Sequence, residues 1–221
     1  MASIVKKSSK RKSKNSFDFQ ALYNRLFALY GQCTCPLEHN SPFQLLCAVM
    51  LSAQCKDERV NQVTKELFSL APDAQKMVQL DQKKISQIIH PCGLYENKSK
   101  NLKGIAEKIV DNFNNIVPKT MDELTTLPGI GRKSANVVLG NAFNIPGFPV
   151  DTHVNRVLNK LGAVKSTNPE VIEEIVCSNI EDIYWTNFSH LLITFGRQIC
   201  HARSPECENC PLQDMCKFHK G

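Results

Sequence analysis

The sequence predicts an all-α fold, and three observations support that prediction. Apolar residues recur at three- and four-residue spacing along most of the chain, as they do on a helix with one buried face. Serine, threonine, aspartate and asparagine stand where these runs begin, which is typical of helix N-caps. No segment has the period-two alternation of a half-buried strand. From these signals we expect about ten helices.

The predicted helices begin close to the N-terminus. The first follows Ser16 and Asp18, both of which are candidate caps. The second begins at Ser41, with Pro42 in its first turn and Gln44 completing a capping box. The apolar positions that mark the helices up to residue 113 are Phe19, Leu22, Leu26, Leu29, Val60, Val63, Leu67, Ile85, Ile88, Ile89, Leu102, Ile105, Ile109 and Phe113.

The second half of the chain continues in the same way. Thr120 and Glu123 form another capping box, which opens a short helix before the stretch LPGIG. Residues 141–150 are the clearest non-helical segment, and residues 184–200 close the helical part. Further helix starts and stops are predicted at Asp151, Gly162, Asn168 and Pro169.

The composition is that of a globular chain with a small excess of positive charge. Its 221 residues are 42% hydrophobic, with 27 Lys and Arg against 21 Asp and Glu. No apolar run is long enough to span a bilayer, and the N-terminus lacks the apolar core of a secretory signal. Residues 1–16, with six positive charges between Lys6 and Lys14, are predicted to be a disordered basic tail. A solvated terminus, a phosphate-attracting arm and a targeting signal are all compatible with it.

Four of the ten cysteines stand close together near the C-terminus. Their spacing, Cys200-x6-Cys207-x2-Cys210-x5-Cys216, is compact enough to surround one metal centre. Structural zinc sites usually use two close pairs, whereas this segment has one. The spacing therefore favours a [4Fe–4S] cluster over zinc, and either over four unliganded thiols. The other six cysteines are expected to be mostly packed thiols. No role is assigned to Cys33 and Cys35.

The stretch LPGIGRKSANVV, residues 127–138, joins two predicted helices. Gly129 and Gly131 let the backbone turn sharply, and the amides of the next helical turn then lack partners. Such a helix N-terminus binds anions, and DNA phosphate is the obvious anion beside Arg132 and Lys133. An ordinary turn between two helices is the alternative interpretation.

Lys133 is the candidate nucleophile of this stretch. It stands in the first turn of a helix, where the dipole disfavours a second cation. An amine that is also partly desolvated is more often neutral and able to form a Schiff base. A phosphate-binding lysine is the alternative. Asp151 either stabilises a developing cation or is a plain N-cap, and His153 is either an orienting group or a helix residue.

Three motifs occur in an order that carries a resemblance. They are LPGIGRKSANVV, then VDTHVNRV at residues 150–157, then the four spaced cysteines. In this order they resemble endonuclease III, in the helix–hairpin–helix family of base-excision DNA glycosylases, and the resemblance covers residues 17–217. Residues 41–61 and 93–102 resemble that family as well. Ser134 departs from the threonine that is more usual there.

The resemblance implies a two-lobed fold with a DNA cleft between the lobes. A six-helix barrel containing the helix–hairpin–helix would span residues 36–145. A lobe with one [4Fe–4S] cluster per chain, held by the four cysteines, would combine residues 17–35 with residues 146–221. Lys133 and Asp151 would lie on opposite walls of the cleft.

The resemblance also implies a bifunctional DNA N-glycosylase and abasic-site lyase that removes oxidised pyrimidines in base excision repair. Lys133 would attack the sugar C1′ of a flipped nucleotide, Asp151 would activate Lys133 or stabilise the cationic sugar, and β-elimination would nick the strand 3′ of the site. Gln54 would fill the gap left by the flipped base, and Leu94 would wedge between bases. The other residues predicted to contact DNA are Gly129, Gly131, Arg132, His153 and Arg203.

The expected partner is double-stranded DNA with damaged bases or abasic sites, bound by a monomer without membrane contact. The expected location is the nucleoid-associated cytoplasm of a bacterium, or the nucleus or an organelle of a eukaryote. Two other functions stay open on sequence alone. One is a monofunctional mismatch glycosylase, although that branch lacks the lysine at position 133. The other is a non-catalytic DNA-binding module with a structural metal.

Overall fold

The computed structural model describes residues 17–220, and these residues form helices and loops without a strand. The all-α prediction is therefore confirmed, while the basic tail 1–16 lies outside the described residues. None of the helices in this part of the chain is long and apolar enough to cross a membrane. The α-helices are α1 Phe19–Tyr30, α2 Pro42–Leu51, α3 Asp57–Leu70, α4 Ala74–Gln79, α5 Gln82–Ile89, α6 Tyr95–Asn112, α7 Met121–Thr125, α8 Arg132–Phe143, α9 Thr152–Leu161, α10 Pro169–Cys177, α11 Trp185–Gln198 and α12 Lys217–Lys220. Short 3-10 turns lie at His90–Cys92, Asp182–Tyr184, Cys207–Asn209 and Gln213–Met215.

Side-chain caps fix the helix starts largely as the sequence predicts. Thr120 Oγ1 accepts a hydrogen bond from the Glu123 amide at 3.2 Å and donates one to Glu123 Oε2 at 2.7 Å. Ser41 Oγ accepts from the Gln44 amide at 3.2 Å. Neither capping box has the usual return bond to the amide of the N-cap residue. Glu123 Oε2 accepts from the Thr120 hydroxyl instead, and Gln44 Oε1 accepts from the amide of Asn40, one residue before the cap.

The buried apolar side chains form two separate cores. The first is built by α2–α8, and α2 is its central helix because nine of its ten residues are buried. The second is built by α1 together with α9–α11 and part of the C-terminal loop. The predicted two-lobed fold is thus confirmed. The bounds 36–145, and 17–35 with 146–221, stay a prediction.

Leu29 does not belong to the buried face of α1, contrary to the sequence-based expectation. It is 48% exposed, whereas Tyr23 is buried at 8% exposure. The buried stripe runs from Phe19 at i, i+3, i+4 and i+7 and therefore ends one turn before the helix does. Tyr23 has rings to pack against, since Tyr184 and Phe188 lie 4.6 and 5.8 Å from it between ring centroids.

The lobes meet where α8 packs on α11. Helix α8 runs to Phe143, so the non-helical segment is shorter than predicted. His190 Nε2 and Asn141 Oδ1 are hydrogen-bonded across the contact at 3.0 Å. Burial lowers the pKa of His190, so the neutral ring is the form that pairs with the amide. At Gly140 an added Cβ would lie 2.5 Å from Thr186 Oγ1, so the two helices approach closely only because position 140 has no side chain.

Gly140→Ala is expected to lower the free energy of unfolding by about 1–3 kcal/mol, because the added methyl group collides with Thr186. Chemical denaturation followed by circular dichroism measures the loss. Thr186→Ala alone removes only a 3.3 Å hydrogen bond to the Gly147 carbonyl. The double variant should recover much of the stability that Gly140→Ala loses. A double variant no more stable than Gly140→Ala would contradict the steric explanation.

Candidate active site and DNA interface

The hairpin between α7 and α8 is anchored by apolar residues and turned by one glycine. Leu127 and Ile130 are buried, and the Ile130 amide donates to the Leu127 carbonyl at 3.1 Å. Gly129 has a φ of +73°, and a Cβ there would lie 2.6 Å from Asn101 Nδ2 of α6. Both the backbone conformation and the close approach therefore require glycine. Gly131 is the N-cap of α8 and has open space around its Cα, which leaves the start of this helix accessible.

Lys133 and Asp151 stand at two helix N-termini that face one cavity. Lys133 is exposed in the first turn of α8. Asp151 caps α9, and its Oδ1 accepts from the amides of His153 and Val154 at 2.8 Å each. Both residues line an open cavity of about 870 Å³, together with Gln54 and His153. The fold thus brings together four of the residues that the sequence singled out.

A smaller cavity of about 290 Å³ adjoins the open one. Four residues line both cavities, which therefore share a wall: Ser52, Lys133, Asp151 and Arg197. Sequence analysis missed Ser52 and Arg197, because neither stands in a motif whose spacing indicates chemistry. The rest of the smaller cavity combines apolar with polar side chains, among them Cys35, Leu37, Val137, Ile193, Thr34, Thr194 and His190.

Two ion pairs connect the lobes near the open cavity. Arg132 makes a bidentate pair with Glu173 of α10, at 3.0 and 2.8 Å. The hydrogen bonds to Glu173 raise the pKa of Arg132. Arg197 donates to Asp57 Oδ2 at 3.0 Å. Arg132 is thus engaged within the protein, and its predicted contact with DNA stays a prediction.

His153 links the open cavity to the cysteine-rich loop, residues 199–216, which follows α11. Its Nδ1 accepts a hydrogen bond from Arg156 Nη2 at 3.0 Å. Arg156 also donates to the carbonyls of Gly196 and Cys200, at 2.8 and 3.0 Å. Burial lowers the pKa of His153, which keeps the ring neutral and able to accept from Arg156. A contact of His153 with DNA stays a prediction, as does that of Arg203, which is exposed on the loop.

Two exposed turns carry the residues predicted to enter the duplex. Gln54 has a φ of +55° and Leu94 a φ of +48°, in the left-handed region that residues other than glycine rarely adopt. Such a conformation costs about 1–3 kcal/mol and persists where the surrounding structure imposes it. Leu94 is 59% exposed, which is unusual for a leucine in a fixed turn. Insertion of either side chain into DNA stays a prediction.

The four C-terminal cysteines line one cavity against α9 and α11, beside the apolar side chains of Leu161, Phe195 and Ile199. Among the described residues, no three Cys, His, Asp or Glu side chains are arranged to hold a single metal ion. A [4Fe–4S] cubane is larger than one ion and is held by four thiolates. The four thiols supply the donor set that such a cluster needs. Burial raises the pKa of the Cys200 and Cys210 thiols, so protons must leave when iron binds.

Comparison with known proteins agrees with this geometry. Residues 47–181 match the profile of the HhH-GPD superfamily of base excision DNA repair proteins, and residues 200–216 match the iron–sulfur binding domain of endonuclease III. Endonuclease III of Synechocystis sp. is 44% identical over 217 residues, which are 98% of this chain and 97% of that protein.

Two solved structures are similar over most of the fold. They are a non-covalent endonuclease III–DNA complex and a trapped endonuclease III–DNA covalent intermediate. Each is 38% identical with a TM-score of 0.87 and covers 91% of this chain, and the match spans 94% and 95% of those chains.

The fold and the site define a DNA repair protein of the HhH-GPD superfamily, which acts in base excision. The chain belongs to the endonuclease III family. It is a bifunctional DNA glycosylase and abasic-site lyase, binds DNA and carries a [4Fe–4S] cluster, so these sequence-based predictions are confirmed.

Gly129→Ala is expected to weaken DNA binding by about tenfold, because the left-handed backbone and the Asn101 contact both resist a Cβ. Fluorescence anisotropy with duplex DNA measures the affinity, and denaturation checks the fold. Gly31→Ala is the matched control, since Gly31 also has a positive φ, +67°, but lies at the end of α1, outside the hairpin. Equal losses in the two variants would show that the turn conformation at position 129 is not what binding requires.

Proposed function

We propose that Lys133 is the nucleophile of the reaction and that Asp151 is its partner. The observation that supports this assignment is that both residues, from helices in different lobes, line both adjoining cavities. Lys133 is exposed, so its Nζ is within reach of a nucleotide flipped out of the duplex. The Asp151 carboxylate is fixed in place by two backbone amides.

In the proposed reaction the Lys133 amine attacks C1′ of the flipped nucleotide. The bond between C1′ and the base breaks, and its electron pair leaves with the base. Asp151 takes the proton that the attacking amine must lose, or stabilises the positive charge that develops on the sugar. The C1′–O4′ bond of the sugar then breaks, O4′ keeps its electron pair and takes a proton, and the nitrogen lone pair forms the C=N bond of a Schiff base. The Schiff base acidifies the C2′ proton, and loss of that proton breaks the C3′–O bond, expels the 3′ phosphate and nicks the strand.

The smaller cavity is the proposed site for the flipped base, and the proposed base is an oxidised pyrimidine. Its apolar side chains suit the face of a single ring, and its threonines and His190 suit the polar edge. The cavity shares Lys133 and Asp151 with the open one, so a base seated there leaves its sugar beside the proposed nucleophile.

The remaining assignments follow the same proposal. The protein acts as a monomer on duplex DNA with damaged bases or abasic sites, with its lobes bounded at residues 36–145, and 17–35 with 146–221. It works in the nucleoid-associated cytoplasm of a bacterium, or in the nucleus or an organelle of a eukaryote. The proposed DNA contacts are Gln54, Leu94, Gly129, Gly131, Arg132, His153 and Arg203, and the proposed cluster ligands are Cys200, Cys207, Cys210 and Cys216.

Lys133→Ala is expected to lose at least about a thousandfold in strand cleavage, because no amine remains at the cavity wall to attack C1′. Borohydride trapping on duplex DNA with one abasic site measures the Schiff base directly. Lys76→Ala, which removes an exposed lysine of α4, is the control and should trap like the wild type. Asp151→Asn should slow trapping while the protein stays folded.

An adduct from Lys133→Ala as strong as that of the wild type would remove Lys133 from its proposed role. A panel of duplexes, each with one lesion and scored separately for base release and for nicking, tests the substrate class in the same assay. Preference for a purine lesion would overturn the oxidised-pyrimidine assignment. Base release without nicking would favour a monofunctional glycosylase.

Cys210→Ser is expected to reduce bound iron sharply, because one of the four proposed thiolates is lost. Iron analysis and visible absorption of anaerobically purified protein measure the cluster. Cys177→Ser is the matched control, since Cys177 is also half-buried but lies at the end of α10, outside the cysteine-lined cavity. A Cys210→Ser protein with full iron content would exclude Cys210 from the ligand set.

A further inference from the structure

Lys98 is a buried cation that the proposed chemistry does not use. Lys98 belongs to α6 and is only 4% exposed. Its Nζ donates to the carbonyl of Leu51 at 2.9 Å and to the carbonyl of Cys92 at 3.0 Å. A lysine is rarely buried unless its charge is compensated, so this placement calls for a physical reason.

The two carbonyls supply that compensation. Leu51 is the last residue of α2, where carbonyls lack partners within the helix and the dipole is negative. Cys92 ends the short 3-10 turn that precedes Gly93. One ammonium group therefore ties the end of α2 to the end of this turn, although the two carbonyls are far apart in sequence.

The turns that follow these two carbonyls carry Gln54 and Leu94. Both residues are exposed and have left-handed backbone conformations, which neighbouring contacts must impose. The Cys92 thiol also lies beside Cys55, since burial and then the neighbouring Cys55 side chain raise the pKa of Cys92. The turns that carry Gln54 and Leu94 are thus connected to each other through the buried side chain of Lys98.

We propose that Lys98 is a positioning residue, which fixes Gln54 and Leu94 relative to each other so that both enter a duplex together. This inference rests on the proposed role of those two residues. Lys98 itself is buried and touches neither DNA nor the reacting atoms. Its loss therefore impairs the opening of a duplex and spares chemistry on a nucleotide that needs no flipping.

Lys103 provides a matched control on the same helix. Its Nζ also donates to two backbone carbonyls, those of Val78 and Leu80, the latter at 3.0 Å. These carbonyls belong to the last turn and the C-cap of α4, whereas Gln54 follows α2 and Leu94 precedes α6. Lys103→Met removes the same kind of tie as Lys98→Met but leaves both DNA-facing turns in place.

The experiment compares the cluster-loaded wild type, Lys98→Met and Lys103→Met on two substrates. One is a duplex with a single oxidised pyrimidine, and the other is a single-stranded oligonucleotide with one abasic site. Lys98→Met should lose about 10- to 100-fold in kcat/KM on the duplex, as expected when contacts that position the substrate shift by about an ångström. On the single strand it should change by less than about twofold, because Lys133 and Asp151 are untouched.

A spectroscopic readout separates positioning from general damage. With 2-aminopurine opposite the lesion, binding of the wild type should raise the fluorescence as the stack opens, and Lys98→Met should give a smaller rise at saturating protein. Lys98→Arg retains the charge and the donors and should restore part of the signal. Should Lys98→Met not fold, Lys98→Gln, which keeps one amide donor group, is measured in the same way.

Equal losses on the two substrates, or the same loss in Lys103→Met, would overturn the proposal, because either result indicates a general loss of structure. An unchanged duplex rate in Lys98→Met would overturn it as well. Failure of the underlying function gives a different result: Gln54→Ala and Leu94→Ala would then leave the duplex rate unaltered. Borohydride trapping on the single strand reports on Lys133 independently of either outcome.

Discussion

Two helix N-termini that open into one cavity are the constraint on which the site depends. Helix α8 begins at Arg132 directly after the hairpin, and α9 begins at Thr152 after its cap. Each start has the positive end of a helix dipole, and α8, whose N-cap is Gly131, also lacks a side-chain cap for its first amides. The space between the two starts therefore favours anions. This field stabilises the negative charge of Asp151 and destabilises the positive charge of Lys133. A cation in such a position is costly for folding, and the proposed role of Lys133 as the nucleophile is a reason for placing an amine there.

Helix α6 holds the ends of several neighbouring elements in place. Lysines at three positions five residues apart donate to carbonyls at the ends of other elements: Lys98, Lys103 and Lys108. The carbonyl bonded to Lys108 is that of Thr126, just before the hairpin glycines. Asn101 lies against Gly129, and Gly104 lies under Pro128. The ends of helices and turns leave carbonyls without helical partners, and one helix with long cationic side chains satisfies several of them at once.

The sequence predicted the features that depend on local chemistry. Caps such as Thr120 were predictable, because a side chain bonds a backbone amide three residues away. Lys133 and Asp151 could be placed at helix starts for the same reason, but their meeting at one cavity entered only through the resemblance. The pairing of Arg132 with Glu173 was hidden, since its partners are 41 residues apart. Helical spacing alone also predicted the wrong buried residue in α1, Leu29 instead of Tyr23. Spacing does not show which side chains have aromatic rings of other helices to pack against.

The cysteine-rich loop contributes to the same site through α9. Arg156 and Lys160 of that helix donate to the carbonyls of Cys200 and His201, at 3.0 and 3.1 Å. Cys216 Sγ lies 3.5 Å from the Lys160 carbonyl oxygen, so the loop and α9 are also in contact there. The loop has only short 3-10 turns of its own, so bonds to a metal centre are the strongest means of fixing its shape. A closed set of four thiolates leaves no ligand position for substrate. On the proposed ligand set, the cluster would therefore act on the reaction only at a distance, by ordering the loop that supports α9, at whose other end Asp151 lines the cavity.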